Sequence, residues 1–228
     1  MINITISTRG LDVPKAGRRI RQLAQERRSE ALARFGGVFS LVVSPFLILL
    51  LIPITLGLGI LIVVGCWVGA ALLYQQGQKL WIKANQADQG AHGEEEVARL
   101  LKPLERQGWI IEYNVPLKRW GDADVFLRSP KSNYFVVDVK SNKGRIFFDG
   151  TMLKRRYGKQ VHDFNNRKNL LQAVKGQASA LKDMKRVSFV QPIICFTQAN
   201  LEKIEQSKQI NGVYVVNAVN LLSLLTSA

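Results

Sequence analysis

Between Arg34 and Lys79 the chain carries no charged side chain, and 27 of the 36 residues in 38–73 are apolar. A core helix of a soluble protein does not need so long a run, so this stretch argues against a purely soluble fold and for a membrane. A span takes roughly 20 apolar residues. The run is too long for one upright span and suffices for two short ones. A break falls at Ile52-Pro53-Ile54-Thr55, where proline disturbs a helix. Two spans are expected, over about residues 37–52 with Pro45 as a kink, and over about residues 56–74. One long tilted span is the competing reading. Gly57, Gly59, Gly65 and Gly69 permit close helix packing, and Gly65 with Gly69 makes a small-xxx-small pair.

Flanking charge sets the topology. Arg18, Arg19, Arg21, Arg27, Arg28 and Arg34 precede the run, Lys79 and Lys83 follow it, and the turn has no charge. Positive flanks stay on the cytoplasmic side, so a hairpin with both termini inside satisfies both ends. The expected location is a multi-pass protein of a bacterial inner membrane. The run starts too late and is too long for a cleavable signal peptide. Residues 16–35 put Ile20, Leu23, Ala24, Ala31, Leu32 and Phe35 near one helical face and arginines on the other. That reads as a helix lying on an anionic leaflet, or as one packing on the cytosolic domain. Residues 1–15, with Ile2, Ile4 and Ile6 alternating, read as a short strand or a tail. Three segments result: a basic arm over 1–36, a transmembrane hairpin over 37–75, and a cytosolic domain over 76–228.

The formal net charge is +15, of which +5 precedes the apolar run and +10 follows it. A basic domain attracts polyanions, either nucleic acid or anionic lipid. Two cysteines exclude a disulfide scaffold and fit a reducing compartment. Two histidines without neighbouring cysteines make a structural zinc site a poor fit.

The cytosolic domain reads as a helix over 86–107 and strands over 109–117, 124–128 and 134–140. A short hairpin follows over 145–148 and 151–155. Then come a helix over 165–184, a buried strand over 190–196, a strand over 213–216 and a closing helix over 219–226. Within the third strand, Phe135-Val136-Val137-Asp138-Val139-Lys140, alternation puts Asp138 and Lys140 on one face. A carboxylate and an amine there are costly unless paired or used. A strand-end ion pair is the plain alternative. Asp124 opens the preceding strand, so a hairpin would bring the two acidic ends together, with Asp122 helping or capping a turn. In the first helix Glu94 shares a face with Ala87, Ala91, Ala98 and Leu101, whereas Glu95 and Glu96 read as solvated. Converging carboxylates would suit a hard cation such as magnesium.

The segments Gly90–Leu100 (GAHGEEEVARL), Gly121–Phe126 (GDADVF) and Phe135–Ile146 (FVVDVKSNKGRI) together resemble the nuclease-related domain, or NERD, family. That family is similar to the PD-(D/E)xK, restriction-endonuclease-like superfamily. The resemblance covers about residues 86–184. It implies an α/β fold, a three-layer αβββαβ core with a mixed sheet, here preceded by two transmembrane helices. It also implies Mg²⁺-dependent phosphodiester hydrolysis, with Mn²⁺ as the substitute ion. Carried over residue by residue, the catalytic set is Glu94, Asp124, Asp138, Lys140 and Gln172, with Glu94, Asp124 and Asp138 as metal ligands. The family often has Glu where this chain has Asp138. A later helix commonly carries N-P-x-x-Q; Asn169-Leu170-Leu171-Gln172 keeps the Asn and Gln and lacks the Pro.

Nucleic acid would lie on Lys154, Arg155, Arg156, Tyr157 and Lys159, then Arg167 and Lys168, where cations interleave with an aromatic ring. Lys182, Lys185 and Arg186 extend the basic surface. The same cations could face an anionic leaflet instead. The function expected is a membrane-anchored, metal-dependent nuclease acting on DNA at the cytosolic face. The alternative is a non-catalytic tethered module that binds nucleic acid or protein. Expected partners are DNA, membrane lipid and a second copy of the chain, with no organic cofactor.

Overall fold

The computed structural model describes residues 17–51, 56–164 and 169–227. The expectations for residues 1–15, the Pro53 turn, Arg167 and Lys168 therefore lie outside the described residues. By their contacts the described residues form two units, one over 19–91 and one comprising 17–18 with 92–227.

The first unit is a pair of antiparallel helices. Helix α1, Arg18–Leu51, runs through Pro45 without a break, and α2, Leu56–Glu105, is a single helix of 50 residues. At 1.5 Å per residue these measure about 51 and 75 Å, well beyond a hydrocarbon core of about 30 Å. The sequence divided α2 into a span and a separate helix from 86. Residues 75–85 lack proline and supply mostly good helix formers, so nothing stops the helix between them. Gly77 is tolerated because it lies against the Phe35 ring. Leu49 packs on Gly59, Leu41 on Gly69 and Leu73 on Gly37, while Gly57 and Gly65 face open space. The helix contact thus uses Gly59 and Gly69 rather than the Gly65–Gly69 pair.

Arginines of α1 are occupied by α2. Arg28 pairs with Asp88, bonds Asn85 and lies over the Trp81 ring, and Arg34 bonds Gln76. Beyond these polar contacts the helices expose Phe39, Leu47, Leu50, Leu61 and Trp67. Both helices are long and apolar enough to cross a membrane. Their outward faces are what a lipid solvent would cover.

The second unit is three-layered. Its main sheet has strands β1 (Ile110–Leu117), β2 (Gly121–Arg128), β3 (Tyr134–Lys140), β7 (Gln191–Phe196), β9 (Gln209–Ile210) and β10 (Val213–Asn217), ordered β1-β2-β3-β7-β10-β9. The β1–β2–β3 meander is antiparallel, whereas β3–β7–β10 is parallel, so the sheet is mixed as expected. Central β3 and β7 are near-continuous apolar runs, as strands covered on both faces require.

Helix α3 (Leu170–Lys185) covers one face with Leu170, Leu171, Val174, Ala178 and Leu181 against Phe126, Val136, Ile194 and Phe196. The end of α2 and helix α4 (Ala218–Ser227) cover the other with Val97, Leu101, Leu104, Leu221 and Leu225. Gly108, at φ +83°, turns the chain out of α2. The expected helix from 165 instead begins after Asn169, whose side chain accepts from the Leu171 and Gln172 N–H groups.

A second sheet, ordered β6-β5-β4-β8, comprises β4 (Gly144–Phe148), β5 (Leu153–Tyr157), β6 (Gln160–His162) and β8 (Ala199–Leu201). Strands β6, β8 and β9 were not anticipated. Each has two or three residues, too few for any periodicity to register.

Candidate functional site

The β2–β3 register pairs Val125 with Val137, and one further step sets Asp124 opposite Asp138. The last ladder pair is Val125–Val137, and beyond it the Asp124 carboxylate takes over. Its Oδ2 accepts from the Val139 N–H at 2.7 Å. Asp138 is 7% exposed and receives the Lys140 Nζ at 2.7 Å, two residues along the same face. The strand-end ion pair is therefore present, with a second carboxylate beside it.

Glu94 arrives from α2 and is 5% exposed. The preceding Gly93 lies so close to Ser141 and Thr197 that a Cβ there would collide with the Ser141 hydroxyl. Gly is what lets the helix approach the ends of β3 and β7. Thr197 in turn donates its N–H to the Lys140 carbonyl at 3.0 Å. One Glu94 oxygen, Oε2, accepts from the Gly17 N–H at 2.9 Å.

The four charged groups act on one another. Burial raises the Glu94 pKa from 4.5 to about 7; Asp138 and Glu95 add to the rise, and the Gly17 bond and Lys140 oppose it. Burial likewise raises Asp124 to about 8, helped by Asp138 and Glu94 against Lys140 and the Val139 bond. For Lys140, burial works against the charge, but Asp138, Asp124 and Glu94 outweigh it and push the ammonium pKa up. The site thus holds more negative charge than its one ammonium offsets. Relief is available from protons or from a cation.

Magnesium takes oxygen ligands, keeps several waters, and commonly needs only one or two carboxylates plus substrate phosphate. Among the described residues no three His, Cys, Asp or Glu groups are gathered tightly enough to form a finished cage. The donor set fits an ion that completes its shell with water and phosphate, and does not fit a fully protein-ligated ion.

Gln172 is exposed on the first turn of α3. Its backbone N–H is engaged by Asn169, and among the described residues no hydrogen bond joins its side chain to the carboxylates. Glu95, expected in solvent, is buried, because the end of α2 is covered around a broad arc that also includes Ala91, Val97, Ala98 and Leu101. His92 is exposed.

Sequence reading missed Ser141 and Thr197 at the strand ends and also Gln177. Gln177 lies on the buried stripe of α3 and donates to the Asp122 carbonyl at 3.4 Å, leaving its Oε1 without a partner. Its position among apolar residues at helical spacing was the available signal.

The basic cluster is divided. Lys154 pairs with Asp149 at 2.9 Å. Arg156 bonds both Glu202 oxygens, at 3.1 and 3.2 Å, and its guanidinium lies 4.9 Å from the centre of the Phe147 ring. Lys185 is held by both oxygens of Glu112 at 2.7 Å. Arg155 is half-buried, while Tyr157 and Lys159 are exposed.

Residues 89–197 match the family model of the nuclease-related domain. The match encloses β1 to β7 and every carboxylate named above as a candidate ligand. No curated protein and no solved structure matches the chain.

Proposed function

We propose that this nuclease-related domain belongs to a membrane-anchored, metal-dependent nuclease that hydrolyses DNA phosphodiester bonds at the cytosolic face. The observation that carries the reading is the mutual field of Glu94, Asp124, Asp138 and Lys140, in which two acids are held far above their ordinary pKa. A buried surplus of carboxylate beside one ammonium is expensive as a structural device. It is useful where a cation and a phosphate are to be received.

Carboxylates from the set Asp124, Asp138 and Glu94 would hold Mg²⁺, with Mn²⁺ as the substitute, and water and substrate phosphate would complete its shell. When bound, the ion supplies polarisation of a phosphoryl oxygen and a more acidic water. Asp138 holds Lys140 by their ion pair, so the ammonium stands ready to stabilise negative charge developing on phosphate. The Val139 N–H fixes the Asp124 carboxylate, so its orientation does not wait on the ligand. Membrane anchoring is supported by the apolar outward faces of α1 and α2, and a cytosolic domain by the positive flanks on both sides of the hairpin.

Full-length protein in detergent should nick plasmid DNA with Mg²⁺ or Mn²⁺ and not in EDTA. Asp138→Ala should lower the rate at least about a hundredfold. Cutting that persists through both treatments would place the activity elsewhere. A second reading, a tethered nucleic-acid-binding module without catalysis, is favoured by the Gly17 bond that already occupies one Glu94 oxygen. It expects salt-sensitive DNA binding in EDTA and no product with Mg²⁺.

A further inference from the structure

Resting on the nucleic-acid reading above, we propose that one face of the β5–β6 ribbon receives the substrate, and that its ligand is single-stranded nucleic acid. Alternation along Leu153–Tyr157 sorts the side chains into two sets. Lys154 and Arg156 share a face, and both are neutralised there. Asp149 pairs with Lys154, Asp163 also acts on Lys154, and Glu202 takes Arg156. The opposite face starts at buried Leu153 and continues with Arg155 and Tyr157. Across the register, Arg155 lies between His162 on one side and buried Ile146 on the other, and Gln160 lies beside Tyr157, so this face leaves the core at Arg155 and opens at Tyr157.

Arg155 has no carboxylate partner among the described residues, and Tyr157 is 62% exposed. An unpaired guanidinium next to an open ring matches a phosphate next to a base. The ribbon also lies near the charged site along the chain. Arg156 pairs with Arg145, so the next step brings Tyr157 to Gly144, four residues from Lys140. A Cβ on Gly144 would lie 2.6 Å from the Arg156 carbonyl, so the two strands are in close contact there. Four residues reach at most about 14 Å, so the ribbon end lies within a short stretch of chain of the charged site.

Stacking on a side chain needs a base free of its neighbours, which a duplex interior does not offer. That favours a single strand or a frayed end. A bilayer, the other anionic surface, responds to the summed charge of a region rather than to alternate positions on one strand.

The test is binding of a labelled oligothymidylate and of a duplex by full-length protein with EDTA, in nanodiscs of neutral lipid and, in parallel, of anionic lipid. Each variant's melting temperature is checked for intact folding. Tyr157→Ala should weaken single-strand binding roughly five- to hundredfold and leave duplex binding little changed, and Tyr157→Phe should restore it. Arg155→Ala should lower the slope of log affinity against log salt by about 0.7. Lys154→Ala should leave both quantities unchanged. Equal losses from the two faces, or a loss confined to Lys154→Ala, overturn the face assignment and leave the nucleic-acid reading standing. No oligonucleotide binding at all overturns both. A Tyr157→Ala effect seen only with anionic lipid assigns the face to the bilayer and overturns the proposal.

Discussion

Asp124→Asn removes one charge from the acidic cluster while keeping an oxygen for the Val139 N–H. In the folded chain burial, Asp138 and Glu94 raise the Asp124 pKa from 3.8 to about 8. A folded state that holds a proton more tightly than the unfolded chain loses stability as pH rises. The loss begins near pH 4 and is complete above about pH 8. Glu94, raised to about 7, adds in the same direction. At about 1.4 kcal/mol per unit the Asp124 gap alone would be worth roughly 5–6 kcal/mol. The repulsion is shared with Asp138 and Glu94, so one substitution should recover on the order of 3 kcal/mol. For a chain of this size that is about 6–12 °C in melting temperature.

The assay is thermal unfolding of full-length protein in detergent and EDTA between pH 5 and 8. Wild type should melt progressively lower as pH rises. Asp124→Asn should melt higher than wild type at pH 8, and its pH profile should be flatter. Adding Mg²⁺ at about a hundred times its dissociation constant should return roughly 2.7 kcal/mol to wild type and much less to the variant. The reasoning fails if the variant melts lower than wild type at pH 8 in EDTA, or if wild type gains stability with rising pH.

Two further outcomes follow from packing. A Cβ at Gly176 would drive into the Trp120 ring, so Gly176→Ala should cost about 1–3 kcal/mol in chemical denaturation. In a Trp120→Ala background the same substitution should cost little, and an undiminished penalty would show that the ring is not the obstacle. Burial, then the charges of Glu96 and Asp138, push the Cys195 thiol up to about 12. In a Cys66→Ser background iodoacetamide should modify Cys195 only once the domain is unfolded, and prompt labelling of native protein would contradict that.

What sequence reading captured was local. The apolar stretch before and around Asp138 announced a central strand, and helical spacing set Glu94 among Ala91, Ala98 and Leu101, all of which are buried. The position of the break in the β2–β3 loop was enough to bring Asp124 toward Asp138. What it did not capture depended on distant chain. Glu202 lies 46 residues from Arg156, so a cation that reads as free turns out to be occupied. Glu95 has the same charge as Glu96 yet is buried like Glu94, and only the packed surroundings of α2 decide that. Continuity of α2 was hidden by a change in composition, since polar and apolar stretches of one helix share the same backbone.

Asn169 carries a consequence for anyone judging activity from motif letters. Its side chain starts α3 by accepting two backbone N–H groups, a task any helix beginning there would set. A descendant stripped of Asp124 and Asp138 would keep its need for that amide. Agreement at this position therefore reports architecture alone and carries no information about the acids.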